Sequence, residues 1–153
     1  MRKSFKYRFY PNSQQAQCLE STLDRCRVLY DAALQERRDA WKMGRNNVSF
    51  NQQSAQLPII KSECPEYQEI NGQVLQNVLH RVDWAFQAFF HRAQLGGKPG
   101  YPRFKGKGHY DSITYPQTNM GWFLEEKTLR VSKIGIIKIR TLQICQFAPS
   151  ASG

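Results

Sequence analysis

The hydrophobic period of this chain changes twice along its length, and that restricts its fold more than any other feature. Residues 3 to 9 interleave Lys3, Lys6 and Arg8 with Phe5, Tyr7 and Phe9, the aromatics two apart. Such spacing predicts a strand with one aromatic and one basic face. Past Pro11 the period becomes three and four. Asn12 and Gln15 resemble a capping box, and Ala16, Leu19, Leu23, Cys26, Leu29, Tyr30, Ala33, Leu34 and Trp41 form a helical stripe reaching about Gly44. One helix or two joined near Asp24 would both satisfy it. Ser49 is a cap for a further helix that Pro58 must kink or interrupt, and Cys64-Pro65 breaks the pattern. The strongest helix runs from about Asn71 to Gln94, with Val74, Leu75, Val78, Leu79, Val82, Phe86 and Phe90 on one stripe that reads as core.

After residues 96 to 108 the period returns to two. Ser112 to Tyr115, Trp122 to Leu124, Leu129 to Val131 and Ile134 to Arg140 are expected as short antiparallel strands, with a turn at Glu125 to Lys127. A strand, then helices, then strands implies an α+β fold in which the first strand pairs with the last group across a helical insert.

The charge follows the same division. The net +10 comes from the flanks: residues 1 to 10 hold four bases and no acid, and residues 96 to 110 hold four more and no acid. Residues 11 to 95 balance nine bases with nine acids, and the remainder carries five against three. A polyanion-binding surface built by the two flanks is expected. The segment GGKPGYPRFKGKG (residues 96 to 108) reads as an exposed, flexible loop. Its Lys98, Arg103, Lys105 and Lys107, interleaved with Tyr101 and Phe104, can neutralise phosphates and stack on unpaired bases. Lys3, Lys6 and Arg8 on the first strand are expected to face a phosphate backbone.

Other chemistries find little support. Cys18, Cys26, Cys64 and Cys145 make no Cys-x-x-Cys pair and are expected as reduced, mostly buried thiols. His80, His91 and His109 lack metal spacing, and no nucleophile elbow or phosphate-binding loop occurs. The N-terminus has no apolar run of a secretory signal, and no segment approaches the length of a membrane span, so a cytoplasmic protein is expected.

Several stretches together resemble the OrfB/TnpB family of transposon-encoded RNA-guided nucleases. Tyr7-Arg8-Phe9-Tyr10-Pro11 looks like the family's opening strand. Cys26-Arg27-Val28-Leu29-Tyr30-Asp31-Ala32-Ala33-Leu34 is similar to its Cys-Arg-Phe-Val-Tyr-Asn-x-x-Leu helix, with Asp31 in place of Asn. Gln73 to Leu79, Ala85-Phe86 and Phe89-Phe90 match its central helix. Gly100-Tyr101-Pro102-Arg103-Phe104-Lys105 corresponds to its Gly-Phe-Pro-Arg-Phe-Lys loop, and Ser112 to Gln117 and Lys133-Ile134-Gly135 follow in family order.

The resemblance implies a helical recognition lobe over residues 11–95, inserted into an incomplete wedge-type antiparallel β-barrel made of residues 1–10 and 96–140. Residues 141–153 are expected as an irregular tail outside the family pattern. It implies RNA and DNA as partners: a guide RNA, and a short duplex motif beside the target, with no membrane and no small-molecule substrate. Phe50, Ser54, Gln73, Gln76, Thr114 and Tyr115 fall where such members contact that duplex; at Gly72 a frequent basic residue is missing. A glutamine amide such as that of Gln76 both donates and accepts, which suits the adenine edge. In the family, cleavage belongs to a RuvC-like domain with divalent metals and a zinc ribbon. After residue 110 the only acids here are Asp111, Glu125 and Glu126, so this chain by itself is expected to bind without cutting and to hold no cofactor. The expectation is a fragment ending before the RuvC-like domain. An autonomous helix-turn-helix regulator and an inactive relic are the alternatives.

Overall fold

The computed structural model describes residues 6–117, 121–125 and 127–143. Lys3, Phe5, Glu126 and Cys145, with the rest of the tail from residue 144, lie outside them. In chain order the elements are β1 (Lys6–Tyr10), α1 (Ser13–Gly44), α2 (Phe50–Ala55), α3 (Leu57–Glu63), a 3-10 turn at Pro65–Tyr67, α4 (Gly72–Gln94), β2 (Gly121–Glu125), β3 (Thr128–Val131) and β4 (Gly135–Gln143).

Local signals place the helices. At the start of α1, Asn12 Oδ1 accepts from Gln15 N at 2.8 Å while Gln15 Oε1 accepts from Asn12 N at 3.1 Å, completing the capping box. The helix runs unbroken through Asp24, which takes the Arg27 guanidinium at 3.0 Å on its surface. A second capping box joins Ser49 and Gln52. Pro58 sits in the first turn of α3, where its missing N–H costs nothing, so the chain divides into α2 and α3 there. Asn71 Oδ1 accepts from Gln73 N at 2.9 Å and starts α4.

The core lies between α1 and α4. Cys26, Leu29, Tyr30, Ala33 and Leu34 from the first helix meet Val74, Leu75, Val78, Leu79, Val82 and Phe86 from the second. Each large side chain fully buried there contributes roughly 1.5–3 kcal/mol. One charged residue crosses this region. Arg37 donates to Gln53 Oε1 at 2.9 Å and to Asp83 Oδ1 at 3.0 Å, and Gln53 Nε2 donates on to Ala33 O at 3.0 Å, so α2 is fastened to both long helices. Of the described cysteines only Cys26 is fully buried; Cys18 and Cys64 are half-buried.

The strands form one open antiparallel sheet in the order β1-β4-β3-β2. The first strand does pair with the last, Arg8 lying opposite Arg140 and Tyr10 opposite Lys138. Three expectations change. β4 continues to Gln143, past the expected boundary at residue 140, because β1 offers partners for Thr141 and Gln143. Ser112 to Tyr115 is not a strand. Its period of two is real, but Ile113 and Tyr115 pack toward the core while Ser112 and Thr114 accept from Arg81 at 3.0 to 3.1 Å and 2.9 Å, so the segment lies against α4 without joining the sheet. The glycine-rich loop is exposed in part but tethered. Pro102 is buried, Tyr101 meets Phe86 and Phe89 edge-on, and Lys105 N donates to Asp31 Oδ1 at 2.7 Å. Among the described residues no helix is long and apolar enough to cross a membrane.

Candidate nucleic-acid interface

Alternation along the strands gives the sheet two unlike faces. The inner face turns Phe9, Leu129, Val131 and Ile137 toward Leu19, Leu23, Ile113 and Tyr115, around an apolar crevice of about 400 Å³. The outer face carries Arg8 and Tyr10 on β1, Ile136, Lys138 and Arg140 on β4, and Arg130 on β3, all exposed. Lys6 follows on β1 across a bulge and is exposed too. No Asp or Glu occurs on these three strands. Like charges set directly opposite destabilise a sheet, so the Arg8–Arg140 pair costs free energy until an anion lies between or above them. The basic N-terminal flank is thereby brought beside the bases of β3 and β4 on one surface, while the other flank, residues 96 to 110, is not part of this sheet.

Hydrogen bonds lock this sheet to the helices. Gln15 Nε2 donates to Ile136 O at 2.6 Å, Asn71 Nδ2 to Ser132 Oγ at 3.1 Å, and Tyr115 Oη to Ser132 O at 3.1 Å. Burial pushes the Tyr115 phenol up to about 12. Its hydroxyl is therefore a structural donor here, and Thr114 Oγ1 is already engaged by Arg81.

A second surface runs along α4. Gln73, Gln76, His80 and Trp84 lie three and four apart, hence on one stripe. Phe50 from α2 stacks on His80, ring centroids 3.8 Å apart and planes within 15°, and His80 stacks on Trp84 at 5.7 Å and 17°. Phe50 thus meets the stripe of Gln73 and Gln76 at His80, with half-buried Ser54 one helical turn after it on α2. At Gly72 a Cβ would lie 3.5 Å from Lys61 Nζ. A cation from α3 therefore stands where the resemblance places a basic side chain. Lys61 also donates to Ile70 O at 3.2 Å, and burial, with Lys133 nearby, holds its ammonium below the ordinary value.

On the loop, Lys98, Arg103 and Lys107 are exposed, whereas Lys105 is half-buried with its ammonium 5.7 Å above the Tyr30 ring. Phe104 neither plugs the core nor stands free. It is 42% exposed and lies beneath the Arg38 guanidinium, which also covers Tyr101 at 5.5 Å. Reading the sequence missed Arg38, Arg81, Arg130, Lys138 and Arg140. For the last two a signal was present: Lys138 and Arg140 alternate with Ile137 and Ile139 as Lys6 and Arg8 alternate with Tyr7 and Phe9. Among the described residues no three His, Cys, Asp or Glu side chains gather as a metal-holding group.

Comparison with known proteins bears on these surfaces. Residues 1–46 match the family model of the OrfB/IS605 helix-turn-helix domain. In the structure the described part of that segment is β1 followed by the single helix α1. The chain is similar to a Streptomyces pristinaespiralis protein named as a candidate RNA-guided DNA endonuclease, 33% identical over 132 residues, covering 84% of this chain and 32% of the relative. It is also similar to the Escherichia coli K12 protein InsQ, named likewise, 25% identical over 142 residues, covering 90% of this chain and 33% of the relative. The chain spans about a third of the length of these curated relatives. Both the matched domain and the relatives point to nucleic-acid binding.

Proposed function

We propose, on the premise that the chain is similar to the N-terminal part of OrfB/TnpB-type insertion-sequence proteins, that it binds RNA on the outer face of its sheet and duplex DNA along the α4 stripe. The observation that carries this reading is the basic face of β1, β3 and β4, three strands without an Asp or Glu, with Arg8 directly opposite Arg140 and Lys138 opposite Tyr10. A phosphate backbone laid there relieves the repulsion between the paired cations and meets exposed Tyr10 as a stacking partner. Lys98, Arg103 and Lys107 add positive charge from the loop, and Lys3, three residues before Lys6 in sequence, is assigned the same role. On α4, Gln73 and Gln76 serve as readers of base edges, with Phe50 and Ser54 of α2 and Thr114, held by Arg81, assigned to the same duplex and Lys61 supplying charge at Gly72.

In the finer reading the sheet is part of a wedge-type barrel, residues 11–95 are the recognition lobe, and the RNA is a guide. Cleavage in the whole protein would belong to a metal-dependent domain with zinc and divalent ions, for which this part is the binding scaffold. An autonomous helix-turn-helix regulator would need two helices joined by a short turn within the matched segment, whereas residues 13–44 are one helix.

Fluorescence anisotropy with an RNA hairpin tests the sheet reading. The double variant Arg8→Ala, Arg140→Ala should weaken binding at least about tenfold, since each charge-assisted contact is worth roughly 1.5–3 kcal/mol. Undiminished affinity in a folded variant would discard the sheet as the RNA surface.

A further inference from the structure

Beside the α4 stripe lies a polar pocket of about 430 Å³ between that helix and the segment from Lys105 to Ser112. Its volume is within the range of small-ligand sites. Three cationic or protonatable side chains line it, Arg81, Lys105 and His109, against one acid, Asp111. Arg81 gives its hydrogens to neutral acceptors: Asn77 Oδ1 at 3.0 Å, Ser112 O and Oγ at 3.0 and 3.1 Å, and Thr114 Oγ1 at 2.9 Å. These bonds fix the guanidinium without neutralising it. Lys105 is held from behind by its own backbone bond to Asp31, and its ammonium lies over Tyr30.

Trp84 forms another wall of this pocket and is the last ring of the stack Phe50–His80–Trp84. Its side chain is nevertheless 53% exposed. An indole fixed in orientation by two rings behind it, yet open, is a pre-built platform for one more planar ring. A bare inorganic anion would satisfy the cations and leave the indole uncovered. A base inside a duplex has both faces occupied by its neighbours; an unpaired one does not.

We infer that this pocket takes a single unpaired nucleotide of a bound strand, its base stacked on Trp84 and its phosphate drawn to Arg81, Lys105 and His109. The inference rests on the nucleic-acid reading above and adds what that reading does not specify: a bulged or extruded nucleotide as the ligand, at a site separate from the sheet face. Asp111 sits on the same wall as a repulsive neighbour, which favours a ligand whose phosphate enters on the Lys105 side.

Binding of the whole chain to two RNA hairpins tests this, both closed by a glycol linker in place of loop nucleotides, one fully paired and one identical except for a single bulged 2-aminopurine. The bulged hairpin should bind about tenfold tighter, as expected for one base–aromatic stack, and its fluorescence should be quenched on binding. Trp84→Ala should abolish both the preference and the quenching, so that the two hairpins bind alike; Trp84→Phe, which keeps a stacking ring, should retain most of each. Helical circular dichroism and melting temperature verify that the variants fold. Equal binding of the two hairpins by the wild type, or a preference that survives in Trp84→Ala, overturns the inference while sheet binding stands. If the wild type binds neither hairpin, the nucleic-acid reading fails first and the pocket assignment falls with it.

Discussion

Cys26, Tyr110 and Tyr115 show what burial does to a single ionisable group. Desolvation pushes the Cys26 thiol from 9.0 to about 11, and the two phenols from 10.0 to about 12. Each folded-state value is raised, so each group's contribution to stability is complete below its ordinary value and is lost as pH rises through the folded one. The melting temperature should therefore fall steadily between about pH 9 and pH 12, and a flat profile there would contradict the burial of these groups. The same burial makes the native thiols unequal: iodoacetamide at pH 8 should modify Cys18 and Cys64 well before Cys26, as peptide mass mapping over time would show. At this scale the sequence was legible where chemistry is local. A glutamine on a helix face, or bases alternating along a strand, can be picked out directly. Arg81 and Arg38 were not legible, because each acquires its role from partners brought in by the loop, Ser112 and Thr114 in one case, Tyr101 and Phe104 in the other.

Among the helices, α2 is the shortest that carries a proposed contact, and a six-residue helix does not stand by itself. Its position depends on the Arg37 junction to Gln53 and Asp83. Asp83→Ala would leave a nearly buried guanidinium without its counter-charge, and urea unfolding should show a loss of about 3 kcal/mol. The exposed pair on α1 is the control: Asp24→Ala should change stability by less than about 1 kcal/mol. Equal effects would mean that the junction holds nothing together. The helices themselves were legible from Asn12, Ser49, Pro58 and Asn71, since caps and prolines act within one turn. Ser112 to Tyr115 was misread because alternation reports only that two opposite sides of an extended segment meet different surroundings. It does not say whether the neighbours are strands, and here they are α4 and the inner crevice.

At the scale of the whole molecule, the basic N-terminal flank and the bases of the last strands form a single field only because β1 and β4 are adjacent. If Lys6, Arg8, Arg130, Lys138 and Arg140 each neutralise one phosphate, the logarithm of RNA affinity should fall with the logarithm of salt concentration at a slope between about −3.5 and −4.5. Anisotropy titrations at several salt concentrations measure it, and a slope near zero would rule out the sheet as a phosphate-binding surface. The α+β architecture and the pairing of first strand with last followed from the periods. The open outline of the sheet did not, because closure depends on which edges meet in space.

That pairing also has a consequence in time. Of the described elements β1 is synthesised before the others, and its hydrogen-bonding neighbour in the sheet is β4, with Lys6 in register with Gln143. At ordinary translation speeds the interval between them is on the order of ten seconds. Throughout it the helices can already coil and pack, while the strand with the basic face waits without a ladder. A nascent chain stalled anywhere before Gly135 would therefore display β1 as an open, positively charged edge.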